Sequence, residues 1–176
     1  NSSTVAEARE HMRLLHYRDG VVGYGTRYHF TEDRITDPAN RYFTAITEQC
    51  VRDRRSLRRV TVALNRKQDG TYLFGDGLGT WSRTVALSYL PRRGFRTALL
   101  GRVPAVCGIA FVKWADSGKG LLVGHEGLLI DGDLYHASPG KGVCRVERYF
   151  EREFPRSPWE GFLLFSINEA PRLNPI

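Results

Sequence analysis

Ser2, Ser3 and Thr4 precede a stretch in which Val5, Met12, Leu14 and Leu15 fall near one face while Glu7, Arg9 and Glu10 stay polar. That pattern predicts an amphipathic helix with a hydroxyl cap, ending by Asp19 and Gly20. From Val21 to Thr36, Gly23, Tyr24, Gly25, Tyr28, His29 and Phe30 are mixed with charges and follow neither period, so an ordered functional loop is expected. Asp37 and Pro38 suit a helix start, and Phe43, Ile46 and Val51 extend a helical spacing toward Arg55. Val60 to Leu64 reads as a strand, and Asp69 and Gly70 as a turn before Tyr72 to Phe74. Gly75, Gly77 and Gly79 lack the GxGxxG spacing and the GK[ST] ending of a phosphate loop, which leaves a plain loop. Ser88 to Pro91 ends an element, and Phe95 to Val103 reads as a short helix.

The second half changes in kind. Cys107 to Trp114, Leu121 to Ile130, Leu134 to Ala137, Val143 to Val146 and Gly161 to Ile167 are short apolar runs separated by turn residues, the pattern of an antiparallel sheet. Helices followed by strands predict an α+β fold, with N-terminal helices packed on a C-terminal antiparallel sheet. At 176 residues, with no repeat or linker, residues 1–176 are expected to form one domain. No apolar run approaches the roughly 18 residues of a membrane span.

A net charge of +7 favours an acidic partner without choosing among nucleic acid, anionic lipid and an anionic wall polymer. Arg52, Arg54, Arg55, Arg58 and Arg59 form the densest basic run, which reads as a solvated surface ahead of a polyanion site because no aromatic residue interleaves it. Cys50, Cys107 and Cys144 form no CxxC pair, so they indicate neither a zinc site nor a disulfide framework and read as small apolar side chains.

Gly124 to Ser138 carries the most chemistry. If Asp131 and Gly132 are the central residues of a type I′ turn, Ile130 pairs with Asp133 and Gly127 with His136. His125 then shares a face with His136 as a diagonal cross-strand neighbour, with alpha carbons roughly 7 to 8 Å apart. A three-residue turn would put the two on opposite faces. Such a pair suits a general base and its orienter, or a satisfied polar pair at a sheet edge. Zinc ranks last, since only two ligands are visible.

Leu14 to Gly20, followed by Tyr24, Arg27, His29 and Asp33, then Ser88 to Pro91, Val123 to Gly127 and Leu134 to Ser138, resembles in order and spacing the N-acetylmuramoyl-L-alanine amidase-like branch of the NlpC-type papain-like cell-wall cysteine hydrolases. The resemblance covers about Leu14 to Phe165. It implies a papain-like (NlpC-type) fold, cleavage of an amide in peptidoglycan peptides or muropeptides, no metal or organic cofactor, and a site in the cell envelope, the periplasm or the exterior. It implies His125 as the base, His136 as the residue that orients it, and Tyr24, Arg27, His29 and Asp33 as substrate-binding residues of the same cleft.

Phe30, Arg34 and Gly124 depart from that family's Tyr, Trp and Ser. The family's Cys stands in a helix upstream of the stretch matched by Leu14 to Gly20, and none of the three cysteines here has that context. A nucleophile outside this chain, on a front segment or a separate partner, is therefore expected, and the chain alone should be inactive. The rival reading is a catalytically inactive homologue that binds wall peptides or a partner protein. A nucleic-acid module rests on charge alone.

Overall fold

The computed structural model describes residues 4–168. Helix α1 (Val5–His16) opens on a reciprocal cap: Thr4 Oγ1 accepts the Glu7 amide at 3.1 Å, and Glu7 accepts the Thr4 amide at 3.2 Å. Val5 and Met12, expected on its inner face, are exposed, and the helix packs through Leu14 and Leu15 near its last turn. A short 3₁₀ turn at Arg18–Gly20 follows.

Part of the expected loop is helical. Helix α2 (Thr31–Thr36) buries Glu32, Asp33 and Ile35, and it stops at Asp37, where the following Pro38 disfavours further helical backbone. The helix expected through Arg55 is instead strand β1 (Phe43–Ala45), the single turn α3 (Thr47–Cys50) and a 3₁₀ turn at Arg54–Ser56. Spacing misled here because Phe43 and Ile46 both reach the core, Phe43 from a strand.

Strand β2 (Arg58–Leu64) pairs with β3 (Arg83–Pro91), with the four-residue α4 (Gly75–Leu78) between them. Tyr72 makes only an isolated bridge to Arg66, and the helix expected from Phe95 is reduced to a 3₁₀ turn at Thr97–Leu99. Strands β4 (Val106–Val112), β5 (Val123–Ile130), β6 (Asp133–Ser138) and β7 (Gly142–Val146) form a meander, followed by α5 (Tyr149–Arg152) and β8 (Gly161–Ile167).

All pairings are antiparallel, in the order β2-β3-β8-β4-β5-β6-β7 with β1 also on β8. The architecture is therefore mixed α and β around an antiparallel sheet, but β1, β2 and β3 lie in the first half of the chain, so the helices-then-strands order is corrected. The last strand occupies the middle of the sheet, and β4 and β8 are covered on both faces, which explains their unbroken apolar runs. One face packs Phe30, Ile35, Phe43, Val112 and Phe165. The other packs Ile109, Phe111, Leu129, Phe154 and Phe162. No described helix is long and apolar enough to cross a membrane.

Two buried carboxylates tie α2 to the sheet. Glu32 Oε1 accepts the Leu122 and Val123 amides, both at 2.7 Å, while burial raises its pKa above that of an ordinary glutamate. Asp33, 1% exposed, pairs with Arg18 and with Arg83 Nη1 at 2.7 Å. Asp33→Asn should cost about 2 to 3 kcal/mol in denaturant unfolding, less than for a wholly buried pair because both guanidiniums reach solvent. Arg145→Ala, which removes an exposed partner of Asp133, should shift the unfolding midpoint far less. Equal losses in the two variants would show that Asp33 does not anchor α2.

Candidate active site

The β5–β6 turn has Asp131 at φ 51° and Gly132 at φ 86°, both in the left-handed region that a type I′ turn demands. The register is Ile130 with Asp133, Leu129 with Leu134 and Leu128 with Tyr135. One more step sets Gly127 against His136. A β-carbon on Gly127 would lie 2.7 Å from the Tyr135 carbonyl oxygen and 3.2 Å from His136 Cβ, so only glycine lets the strands close there.

His125 owes its direction to a bulge. Phe111 pairs with His125 but Val112 pairs with Val123, leaving Gly124 as an extra residue on β5. Without it Val123 and His125 would share a face. With it Val123 joins the core beside Val112, and His125 turns to the opposite face beside Phe111.

There His125 Nε2 lies 2.9 Å from His136 Nδ1, the rings meeting edge to face at 89°. Trp159 stacks on His125 at 5.8 Å and 6°, and Phe111 stacks at 6.0 Å and 15°. Gly124 makes room for the indole: a β-carbon there would be 3.0 Å from it. The His125 ring is thus held in its plane by stacking and in its rotation by His136. Its Nε2 is engaged, which leaves Nδ1 as the nitrogen available to a reactant. Burial, then the neighbouring His136, lowers the His125 pKa, so the ring is neutral at pH 7. The two histidines line a cleft of about 630 Å³ together with Leu134, Tyr149, Arg156 and Trp159.

The expected loop residues do not join them. None of Tyr24, Arg27, His29 and Asp33 lines this cleft. Their segment packs on the opposite face of the sheet, where Glu126, the next residue after His125, accepts Thr31 Oγ1 and Arg34 Nη2, each at 2.8 Å. Asp33 is spent on its two arginines. His29 Nε2 is 2.7 Å from the Tyr24 carbonyl, its ring packs on Tyr24 and Phe74, and Tyr24 covers Gly77. Arg27 lines a separate pocket with His16 and Met12. The expectation of one cleft shared with the histidines is corrected: Tyr24 and Arg27 are exposed elsewhere on the surface, and Asp33 is buried.

Cys50 and Cys107 are buried among apolar side chains, and burial raises both thiols, Cys107 to about 12. Cys144 differs. Half-buried on β7, it is the direct cross-strand partner of His136 and points to the same face. It stands two strand spacings from His125 and two residues off its row, about 12 Å away between alpha carbons. The cleft residues Trp159 and Arg156 were not anticipated either. An Arg-Ser-Pro-Trp run after a helical turn carries no periodic signal, and only the return of the chain into β8 brings it against His125.

A family model described as AmiA-like, N-acetylmuramoyl-L-alanine amidase-like, matches residues 1–146. Among solved structures, a Legionella pneumophila protein superposes with a TM-score of 0.67 at 15% identity, over 94% of this chain and 70% of its own. An N-acetylmuramoyl-L-alanine amidase from Bacteroides uniformis gives 0.65 at 19% identity, over 94% and 75%. None of the curated proteins matches.

The lowered His125 pKa has a consequence for stability. The unfolded chain takes up this proton near the ordinary value of about 6.5, and the folded chain only at lower pH. The contribution is complete above about 6.5 and is lost as the pH falls toward the folded value. Denaturant midpoints between pH 7.5 and 5 should therefore decline, and His125→Gln should flatten the decline. An unchanged slope would place the effect elsewhere, chiefly at His16, whose pKa burial also lowers.

Proposed function

We propose that this chain, which belongs to the AmiA-like family of N-acetylmuramoyl-L-alanine amidase-like proteins, carries the histidine part of a peptidoglycan amide hydrolase. The observation that carries the reading is the 2.9 Å contact between His125 Nε2 and His136 Nδ1 at the wall of an open cleft. It is the arrangement expected of an NlpC-type, papain-like Cys-His-His site. His136 holds the base by one nitrogen, so that the other can accept a proton from a thiol.

The thiol is assigned to a segment or partner outside the described residues. Cys50 and Cys107 are too deeply buried to meet a substrate, and Cys144 lies beyond His136, on the side away from His125. In the complete site His125 Nδ1 takes the thiol proton, and the thiolate adds to the amide carbonyl of a muropeptide. The C–N bond breaks as the imidazolium protonates the departing amine. Water, deprotonated by the same nitrogen, then hydrolyses the thioester and restores the thiol. A neutral His125 at pH 7 suits the first of these steps, and His136 keeps the ring in position through Nε2.

Release of peptides from muropeptides by the product of the complete gene tests this reading, with the 176-residue chain assayed beside it. Thiol alkylation should abolish the release, and His125→Ala should lower it about 10²- to 10⁴-fold. Cys144→Ala should change it less than about twofold, and the 176-residue chain should be inactive. Activity that resists alkylation, or that vanishes with Cys144→Ala, sinks the external thiol. A complete product that binds muropeptides without cleaving them would make the protein an inactive homologue that acts by binding.

A further inference from the structure

We propose that a second cleft, on the far side of the Pro155 to Trp159 segment from the histidines, binds a phosphorylated saccharide. It is framed by Arg55, Arg58, Arg92, Arg93, Trp114 and Glu160 and encloses about 450 Å³. Its arginines come from two runs far apart in sequence. Pairing of Arg58 with Tyr89 across β2 and β3 brings the end of the first run beside Arg92 and Arg93, just past the end of β3.

Four guanidiniums here face one carboxylate. The side chains of Arg55, Arg58 and Arg93 form no ion pair and no hydrogen bond among the described residues. Arg92 is fixed by the carbonyls of Trp159 at 2.8 Å and Pro155 at 3.3 Å, which leaves its charge uncompensated. Like charges converging in a concavity repel one another unless an anion enters, and guanidinium forks match phosphate oxygens.

The remaining lining selects what carries the phosphate. Trp114 is 43% exposed at the rim and offers a flat apolar face. Glu160 spends Oε2 on the Trp114 amide at 2.7 Å, leaving its other oxygen to accept hydroxyl protons. An indole face beside a fixed acceptor suits the C–H face and hydroxyls of a sugar ring, and the volume falls in the range of small-ligand pockets. The concave shape disfavours a lipid surface, whose headgroups lie in a plane. Single-stranded nucleic acid has the same phosphate chemistry and serves as the opposing arm of the test.

Because this cleft does not include His125 or His136, its occupancy is measurable whether or not the amide chemistry holds. Glucose 1-phosphate and glucose 6-phosphate, titrated into the intact protein by calorimetry, should bind. Binding should weaken at least about tenfold in Arg58→Glu, in Arg93→Glu and in Trp114→Ala; the two arginines are exposed, and their variants should keep the parent melting temperature. Glucose should bind far more weakly, and so should inorganic phosphate, vesicles of anionic phospholipid and a single-stranded oligonucleotide. The proposal fails if neither sugar phosphate binds, if the three variants bind as the parent does, or if inorganic phosphate matches the sugar phosphates. Tighter binding of the oligonucleotide through the same arginines would overturn it in favour of nucleic acid.

Discussion

One extra residue in β5 decides which face of the sheet carries the candidate chemistry. At the Gly124 bulge the alternation of side chains shifts by one, so that Val123 and His125 point to opposite faces although they are two apart. The position is held from both sides. Glu32 binds the Leu122 and Val123 amides just before the bulge, and Trp159 fills the space that the missing side chain of Gly124 leaves. A buried carboxylate on one face and a stacked indole on the other thus converge on a single backbone irregularity. The imidazole contact follows from it.

The two faces then take different work. On the face of α2, charge is consumed internally: Asp33 is shared between Arg18 and Arg83, and Glu126 is shared between Thr31 and Arg34. These contacts fasten a polar segment onto the sheet. On the opposite face His125 is held by His136 through Nε2 and by aromatic stacking at the wall of an open cleft. Residues of similar type differ here only in whether their partners lie within the fold.

Trp159 and Arg92 connect this cleft to the basic one. The indole stacks on His125 while its own carbonyl accepts Arg92 Nε, so the segment that lines the histidine cleft also fixes an arginine of the basic one. The histidine cleft has aromatic walls and carries Glu153 and Arg156 as its formal charges, whereas the basic cleft keeps its guanidiniums free of ion pairs.

What the sequence determined by itself was the local geometry. Asp131-Gly132 fixed the turn, the turn fixed the register, and the register brought His125 and His136 together, because side chains on paired strands alternate with period two. The unbroken apolar runs of β4 and β8 were legible for a similar reason, since burial on both faces removes polar positions. Short elements such as α2, β1 and α3 were not, because three to six residues are too few to express a period and their conformation depends on partners far along the chain. Tertiary structure alone decided that Asp33 is a buried anchor, that Cys144 stands beside His136, that Trp159 closes over His125, and that two arginine runs share one cleft. Each of these depends on pairing between strands distant in sequence, or on the chain's return into β8, which no local pattern encodes.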